Sequence, residues 1–226
     1  MCWNKEVSIF TFFVICLVSY KLWIRNIKND RVLAFFIISY GSMQLFEAII
    51  WLGIDINMKQ LVVIGSTLAC LLLYLHPLAI ISGMYYDKAY RKYKNNIYYK
   101  LLFIISIIVA IFGLYNIITH MNKKNKIYNF ISYPDRINKH LVWDFPSHYP
   151  LILLVALLIS IFVFNENKII WLSSILYYFL PAIYVVLTNV VSKKNLTKNY
   201  NGSYWCWYVA IFSFLLYFLN PKIQKL

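Results

Sequence analysis

The chain has 226 residues, of which 62% are hydrophobic, 19% aromatic and only 13% charged. Soluble domains are usually about half apolar and about a quarter charged, so this composition excludes an ordinary soluble protein and indicates one that is surrounded by lipid. The net charge of +14 would suggest nucleic-acid binding in a soluble protein. Here almost all cations lie between apolar runs, so we expect no nucleic-acid partner.

Seven apolar runs have lengths near the roughly 20 residues that a helix needs to cross a bilayer core. They predict spans at about 7–25, 32–54, 60–86, 99–119, 149–165, 168–192 and 204–220. The sequence therefore predicts an all-α integral membrane protein, multi-pass, with residues 1–226 forming a single seven-helix transmembrane domain. Only "NENK" separates the fifth and sixth runs, so a six-span alternative stays open. The first run lacks a small-x-small cleavage site, so we expect a retained helix rather than a signal peptide.

The distribution of lysine and arginine predicts the orientation. With the N-terminus outside, the first half of the chain places nine cations in inner segments and two in outer segments. Early helices usually decide the orientation, and the rule is weakest for long loops such as the outer loop 120–148. The glycosylation sequons at Asn195 and Asn201 would also lie outside. We predict an outer N-terminus and an inner C-terminus.

The inner segment from Tyr85 to Lys100, "YYDKAYRKYKNNIYYK", mixes five cations with six tyrosines. Each cation near an anionic leaflet contributes about 1 kcal/mol of attraction. We expect this segment to bind anionic lipid head groups, with docking of a cytosolic partner as the alternative.

Polar residues interrupt the second apolar run, "GSMQLFEAIIWLGI". Gln44, Glu47 and Trp51 are spaced i, i+3 and i+7, so they share one face of a helix. A charge near the bilayer centre costs at least about 2.5–3.5 kcal/mol, and such residues usually face a bundle interior or a wet cavity. The spacing predicts a ligand-binding pocket formed by these three residues. The alternative is that Glu47 is protonated and only holds helices together.

A second polar layer is predicted around His76 in the third run and Tyr178 in the sixth. From the rise per residue, His76 lies about 15 Å deeper than Glu47 in a core about 30 Å thick. At the level of Glu47 we expect Ser66, Thr67, Asn116 and Asn189. Near His76 we expect Ser39, Ser173 and Tyr177. A histidine satisfied within the core is the alternative to a functional one.

The outer loop contains "KHLVWDFPSH", in which His140, Asp144 and His148 are spaced i, i+4 and i+8. On a continuous helix they could bind a metal, but Pro146 interrupts that helix. We predict no metal site and no cofactor.

The four cysteines fall into two classes. Cys16 and Cys70 lie inside predicted spans and are expected to be inert. Cys2 and Cys206 would both lie at the outer interface, where an oxidising environment would allow a disulfide between the first and last helices. Free interfacial thiols are the alternative.

The motifs of this chain resemble those of a family of uncharacterised multi-pass membrane proteins from bacteria and large DNA viruses. Its members open with Met-Cys-Phe/Trp-Ser, carry a Gln-Gln-x-x-Glu-Gly-x-x-Trp-like stretch on the second helix and end near a Trp-Cys pair. The matching positions here are Cys2, Gln44, Glu47, Trp51, Trp205 and Cys206. Asn4, Met43 and Ala48 depart from the pattern at its Ser, first Gln and Gly. The resemblance implies an integral membrane protein and supplies no reaction.

Three functions fit the sequence. The leading hypothesis is a transporter, channel or sensor for a small cation, proton or polar ligand, with an outward-facing pocket around Glu47. The second is an intramembrane enzyme that acts on lipids or thiols, which needs clustered reactive groups. The third is a structural membrane scaffold in which the polar residues only specify packing. An enzyme is the less favoured class, and the sequence predicts neither the ligand nor the oligomeric state.

Overall fold

The structure, a computed structural model, describes residues 4–122, 133–134, 141–142, 155, 158–159, 211 and 213–218. These residues form a bundle of long helices with one short strand pair. The elements are α1 (Lys5–Arg25), α2 (Asp30–Asp55), α3 (Lys59–Tyr86), a linking 3₁₀ helix (Lys88–Tyr93), α4 (Ile97–Asn122), β1 (Tyr133–Pro134) and β2 (Leu141–Val142).

All four α-helices are long and apolar enough to cross a membrane, as expected for a helical membrane bundle. They coincide with the first four predicted spans, and their ends differ from the predicted ones by at most three residues. Of the other three predicted spans, the structure describes residues 155 and 158–159 in the fifth and residues 211 and 213–218 in the seventh. The helix number beyond α4 and the orientation in the membrane therefore stay predictions.

Asparagines set the ends of the first helices. The Asn4 side chain accepts a hydrogen bond of 2.9 Å from the Val7 N–H and so caps the start of α1. Asn26, Asn29 and Asn57 adopt left-handed backbone conformations in the α1–α2 and α2–α3 turns, which asparagine tolerates better than most residues. The resulting short turns make consecutive helices antiparallel neighbours.

The second helix is the centre of the described bundle. In its most apolar 18-residue stretch 67% of the residues are buried, against 33% in α1, 50% in α3 and 22% in α4. Its buried stripe repeats every three or four residues through Leu33, Ile37, Tyr40, Gln44 and Glu47. The helices α1 and α3 both pack on α2, so this stripe is enclosed by protein.

Two glycines of α3 allow its backbone to approach α2 closely. A Cβ at Gly65 would lie 2.9 Å from the Phe46 carbonyl oxygen and 2.7 Å from Ile50 Cγ1. A Cβ at Gly83 would lie 2.8 Å from Val32 Cα. Small residues let helices associate through close van der Waals packing in lipid, where the hydrophobic effect does not drive association.

The strand pair lies at the same end of the bundle as the α2–α3 turn. In β2, Leu141 is completely buried and packs in one cluster with Ile50, Trp51, Val62 and Ala69. Leu141 thus lies beside the ends of α2 and α3 that the α2–α3 turn joins.

Replacing Gly65 by alanine tests the close α2–α3 contact. We expect Gly65→Ala to lower the melting temperature of the detergent-purified protein, because the added methyl group meets backbone atoms and overpacking costs about 1–3 kcal/mol. Ile64→Phe is the matched control, since it adds more volume at a neighbouring side chain that is 49% exposed. Equal melting of Gly65→Ala and wild type would contradict the contact.

Candidate functional site

The three predicted pocket residues all lie in the interior. Gln44 is 1% exposed, Glu47 0% and Trp51 8%, and the three share one face of α2. On α3, Gly65 contacts Phe46 and Ile50, which brings this part of α3 to the level of Glu47. The carboxylate of Glu47 is therefore shielded from lipid by neighbouring helices.

The polar groups expected beside Glu47 are partly accounted for. Ser66 is buried at this level and Thr67 is half-buried. Asn116 of α4 also has an interaction partner. Neither Glu47 nor Ser66 lacks an interaction partner, as is usual for buried polar groups. Asn189 lies outside the described residues.

Hydrogen-bonding capacity is left over on both sides of Glu47. The amide Nε2 of Gln44 and the indole Nε1 of Trp51 are buried, and no described residue accepts a hydrogen bond from either. Both atoms are N–H donors, placed three residues before and four residues after the carboxylate. A buried donor left unpaired costs about 1–3 kcal/mol. Their combination with a buried carboxylate makes this the candidate ligand site.

The second polar layer is centred on His76, which is 1% exposed. Its Nε2 lies 3.2 Å from the Ser39 carbonyl oxygen, and its ring stacks on Tyr40 with 3.8 Å between ring centroids. A carbonyl only accepts, so in the neutral ring Nε2 carries the hydrogen and Nδ1 is an acceptor. No described residue donates to Nδ1. The expected neighbour Ser39 is thus confirmed, whereas Tyr178, Ser173 and Tyr177 lie outside the described residues.

One continuous stripe of α2 joins the two polar layers. The residues that contact His76, Ser39 and Tyr40, precede Glu47 by eight and seven residues, or about 10–12 Å along the axis. Tyr40 and Gln44 occupy the turns in between. Sequence reasoning missed Tyr40, although its position four residues before Gln44 is a signal that could have found it.

A second candidate surface lies at the opposite end, where the α1–α2 turn meets the link between α3 and α4. The buried carboxylate of Asp87 accepts hydrogen bonds from the backbone N–H groups of Arg31 (3.3 Å) and Ala89 (3.0 Å). It therefore caps both α2 and the 3₁₀ helix. The Tyr90 hydroxyl donates to Asn29 Oδ1 over 2.7 Å, which holds the link against the turn.

A partly buried ion pair strengthens this end. Two guanidinium nitrogens of Arg25 each donate to the fully buried Asp30 carboxylate over 2.8 Å. A third donates to the Tyr217 carbonyl oxygen over 2.6 Å, and the guanidinium lies 4.3 Å from the Tyr217 ring centroid. Bidentate pairs of this kind fix geometry as well as charge. Arg25 therefore connects α1, α2 and the segment that contains Tyr217.

The solvent-accessible surface at this end of the bundle is positively charged. Its two described acids, Asp30 and Asp87, are buried, whereas several cations are exposed: Lys21, Lys28, Lys88, Arg91 and Lys100. The Lys94 ammonium lies 3.7 Å from the Tyr85 ring centroid. This end includes the segment Tyr85–Lys100, for which the sequence predicts contact with anionic head groups. We call the whole end, with the α1–α2 turn and the α3–α4 link, the basic end.

The hypothesis of an intramembrane enzyme depends on residues that lie outside the described part of the chain. Cys2, Cys206, His140, Asp144 and His148 lie outside the described residues, and Cys16 and Cys70 are free thiols. Within the described part of the chain, no group of three or more His, Cys, Asp or Glu residues is arranged to hold a metal ion.

Comparison of the chain with protein-family models, with curated proteins and with solved structures found no match.

The pH dependence of stability tests the capping role of Asp87. Burial raises the pKa of its carboxyl above the ordinary value, and hydrogen bonds from the backbone of Ala89, Arg31 and Val32 oppose that rise. A raised pKa in the folded state contributes stability that is fully present below the ordinary pKa and is lost as the pH rises through the raised one. We expect wild type to lose melting temperature over that window.

Two substitutions separate the charge from the hydrogen bonds. Asp87→Asn keeps one acceptor oxygen and should remove this pH dependence. Asp87→Ala leaves backbone donors unpaired and should cost about 1–3 kcal/mol more. Melting curves recorded from acidic to neutral pH measure both effects. A pH dependence that persists in Asp87→Asn would assign it to another group.

Proposed function

We propose that this protein is a multi-pass membrane protein that carries or senses a small cation, proton or polar ligand in a pocket centred on Glu47. Gln44 positions the ligand, and Trp51 bounds the pocket near the outer interface. The observation that carries the proposal is a fully buried carboxylate between two buried N–H donors that no described residue satisfies. Ionisable residues at such depth in a membrane bundle commonly mark ion or substrate paths.

The energetic cost of this arrangement favours a ligand site over pure packing. Packing alone needs no leftover donors, and each unpaired donor costs about 1–3 kcal/mol. A ligand that accepts hydrogen bonds from Gln44 and Trp51 recovers that cost only when it binds. The unpaired donors therefore give a favourable free energy of binding to a ligand that accepts hydrogen bonds from them.

A structural scaffold is the second candidate. It is favoured by the interaction that Glu47 already makes and by the stacking of His76 on Tyr40. Interhelical hydrogen bonds in membranes are worth about 0.6 kcal/mol on average, which is enough to specify one packing arrangement. No observation on the described residues favours an enzyme.

We also propose the seven-helix topology with the N-terminus outside, and that the basic end faces the cytoplasm and binds anionic head groups. Nine cations in or next to the α1–α2 turn and the α3–α4 link lie at one end of the bundle, and Lys5 and Lys59 lie at the other. We also propose kinship with the Met-Cys family; Asn4 departs from the serine of its pattern, and the N-cap role of Asn4 is one that serine also fills.

Flux into liposomes tests the pocket. We expect purified wild type to carry protons, a small cation or a polar solute, and Glu47→Gln to abolish that flux while it melts like wild type. Ser106→Ala is the matched control, because it removes a buried hydroxyl that bonds only to the Leu102 carbonyl oxygen of its own helix. Absence of flux in wild type, combined with a lower melting temperature of Glu47→Gln, would instead support the scaffold.

Labelling of introduced cysteines tests the orientation. In a background without the native cysteines, Lys59→Cys should react with a membrane-impermeant maleimide on intact cells. Lys88→Cys should react only after the membrane is permeabilised. Both lysines are exposed and lie at opposite ends of α3. Reaction of Lys88→Cys on intact cells would reverse the proposed orientation.

A further inference from the structure

We propose that the Glu47 pocket takes up a proton that water delivers, and that His76 receives this proton further inward. This inference rests on the proposed function and narrows its ligand to one class. It uses two observations, the chemistry of the unsatisfied donors beside Glu47 and the open ring nitrogen of His76.

The donors beside Glu47 are unsuited to a metal cation. Hard cations are bound by several oxygen ligands, from carboxylates, carbonyls or water, and other metals take nitrogen or sulfur lone pairs. The unsatisfied atoms here, Gln44 Nε2 and Trp51 Nε1, present the positive end of an N–H bond instead. They repel a dehydrated cation and attract the oxygen of a water molecule. Glu47 then has the role of proton acceptor rather than metal ligand.

The ring of His76 leaves one nitrogen open to a proton. The Ser39 carbonyl oxygen, 3.2 Å from Nε2, holds the hydrogen of the neutral ring on that nitrogen. Nδ1 therefore carries a lone pair, and no described residue donates to it. Stacking on Tyr40 keeps the ring plane fixed and places a cation on Nδ1 against an aromatic face, which stabilises it.

The stripe on α2 connects the two groups. Trp51, Glu47, Gln44 and Tyr40 follow one another at intervals of one turn, and Tyr40 touches His76. Protonated water gives its proton to the Glu47 carboxylate, which leaves neutral water and a carboxylic acid. The acid passes its proton to water bound at Gln44 Nε2, and water carries the proton along the stripe, about 10–12 Å on the helix axis, to His76 Nδ1. The products are an imidazolium ion and the restored carboxylate.

Selective flux in liposomes tests the inference. A pH-sensitive dye inside the vesicles reports proton entry under an imposed pH gradient, and dyes for sodium and potassium report metal entry under gradients of those ions. We expect wild type and Ser106→Ala to pass protons and neither metal. Glu47→Gln should reduce proton flux to that of empty vesicles. His76→Gln should do the same, because its amide can still donate to Ser39 but takes up no proton.

Each outcome decides between the claims. Sodium or potassium flux that depends on Glu47, without proton flux, would overturn the proton inference and leave the proposed function standing. No flux of any probe that depends on Glu47 would overturn both. Undiminished proton flux in His76→Gln would remove His76 from the path. If His76→Gln does not melt like wild type, His76→Asn replaces it, and slower wild-type flux in D₂O checks proton transfer without any substitution.

Discussion

The exclusion of one carboxylate from lipid is the constraint on which the rest of the bundle depends. Exposing a charged group to the hydrocarbon core costs at least about 2.5–3.5 kcal/mol, so the face of α2 that carries Glu47 must be covered on all sides. Among the four described helices, this requirement makes α2 the most buried, with α1 and α3 packed against it. The close backbone approach at Gly65 serves the same need, because a tightly packed neighbour shields this part of α2 better than a distant one.

The two ends of the bundle use charge in opposite ways. At the basic end the acids are buried and hydrogen-bonded within the protein, Asp30 to Arg25 and Asp87 to backbone N–H groups. The surface there therefore has an excess of cations. At the other end the acids remain at the surface, where Lys5 pairs with Asp55 over 2.8 Å. Burial of the acids and exposure of the cations thus produce a stronger surface field than the composition of either turn would suggest.

Hydropathy predicted the first four helices to within a few residues, because the length of an apolar run in lipid is set by bilayer thickness. Spacing also predicted the shared face of Gln44, Glu47 and Trp51, since helical periodicity is local. The contacts of Asp87 with Arg31 and of His76 with Tyr40 could not be predicted in this way. Each joins residues more than 30 positions apart, and only the packing of α2 on α3 brings them together. The sole acid between Tyr85 and Lys100 was nevertheless a visible sign that Asp87 has a specific partner.

The double cap formed by Asp87 has a consequence for biosynthesis. The first turn of α2 is capped by Asp87, which is translated 56 positions after Arg31. The turn at Asn29 is held by a hydrogen bond from Tyr90, which is translated later still. Until the ribosome has passed these codons, α2 has an incomplete start and an uncovered carboxylate. The start of α2 therefore becomes complete only after α3 and the link that follows it have been synthesised.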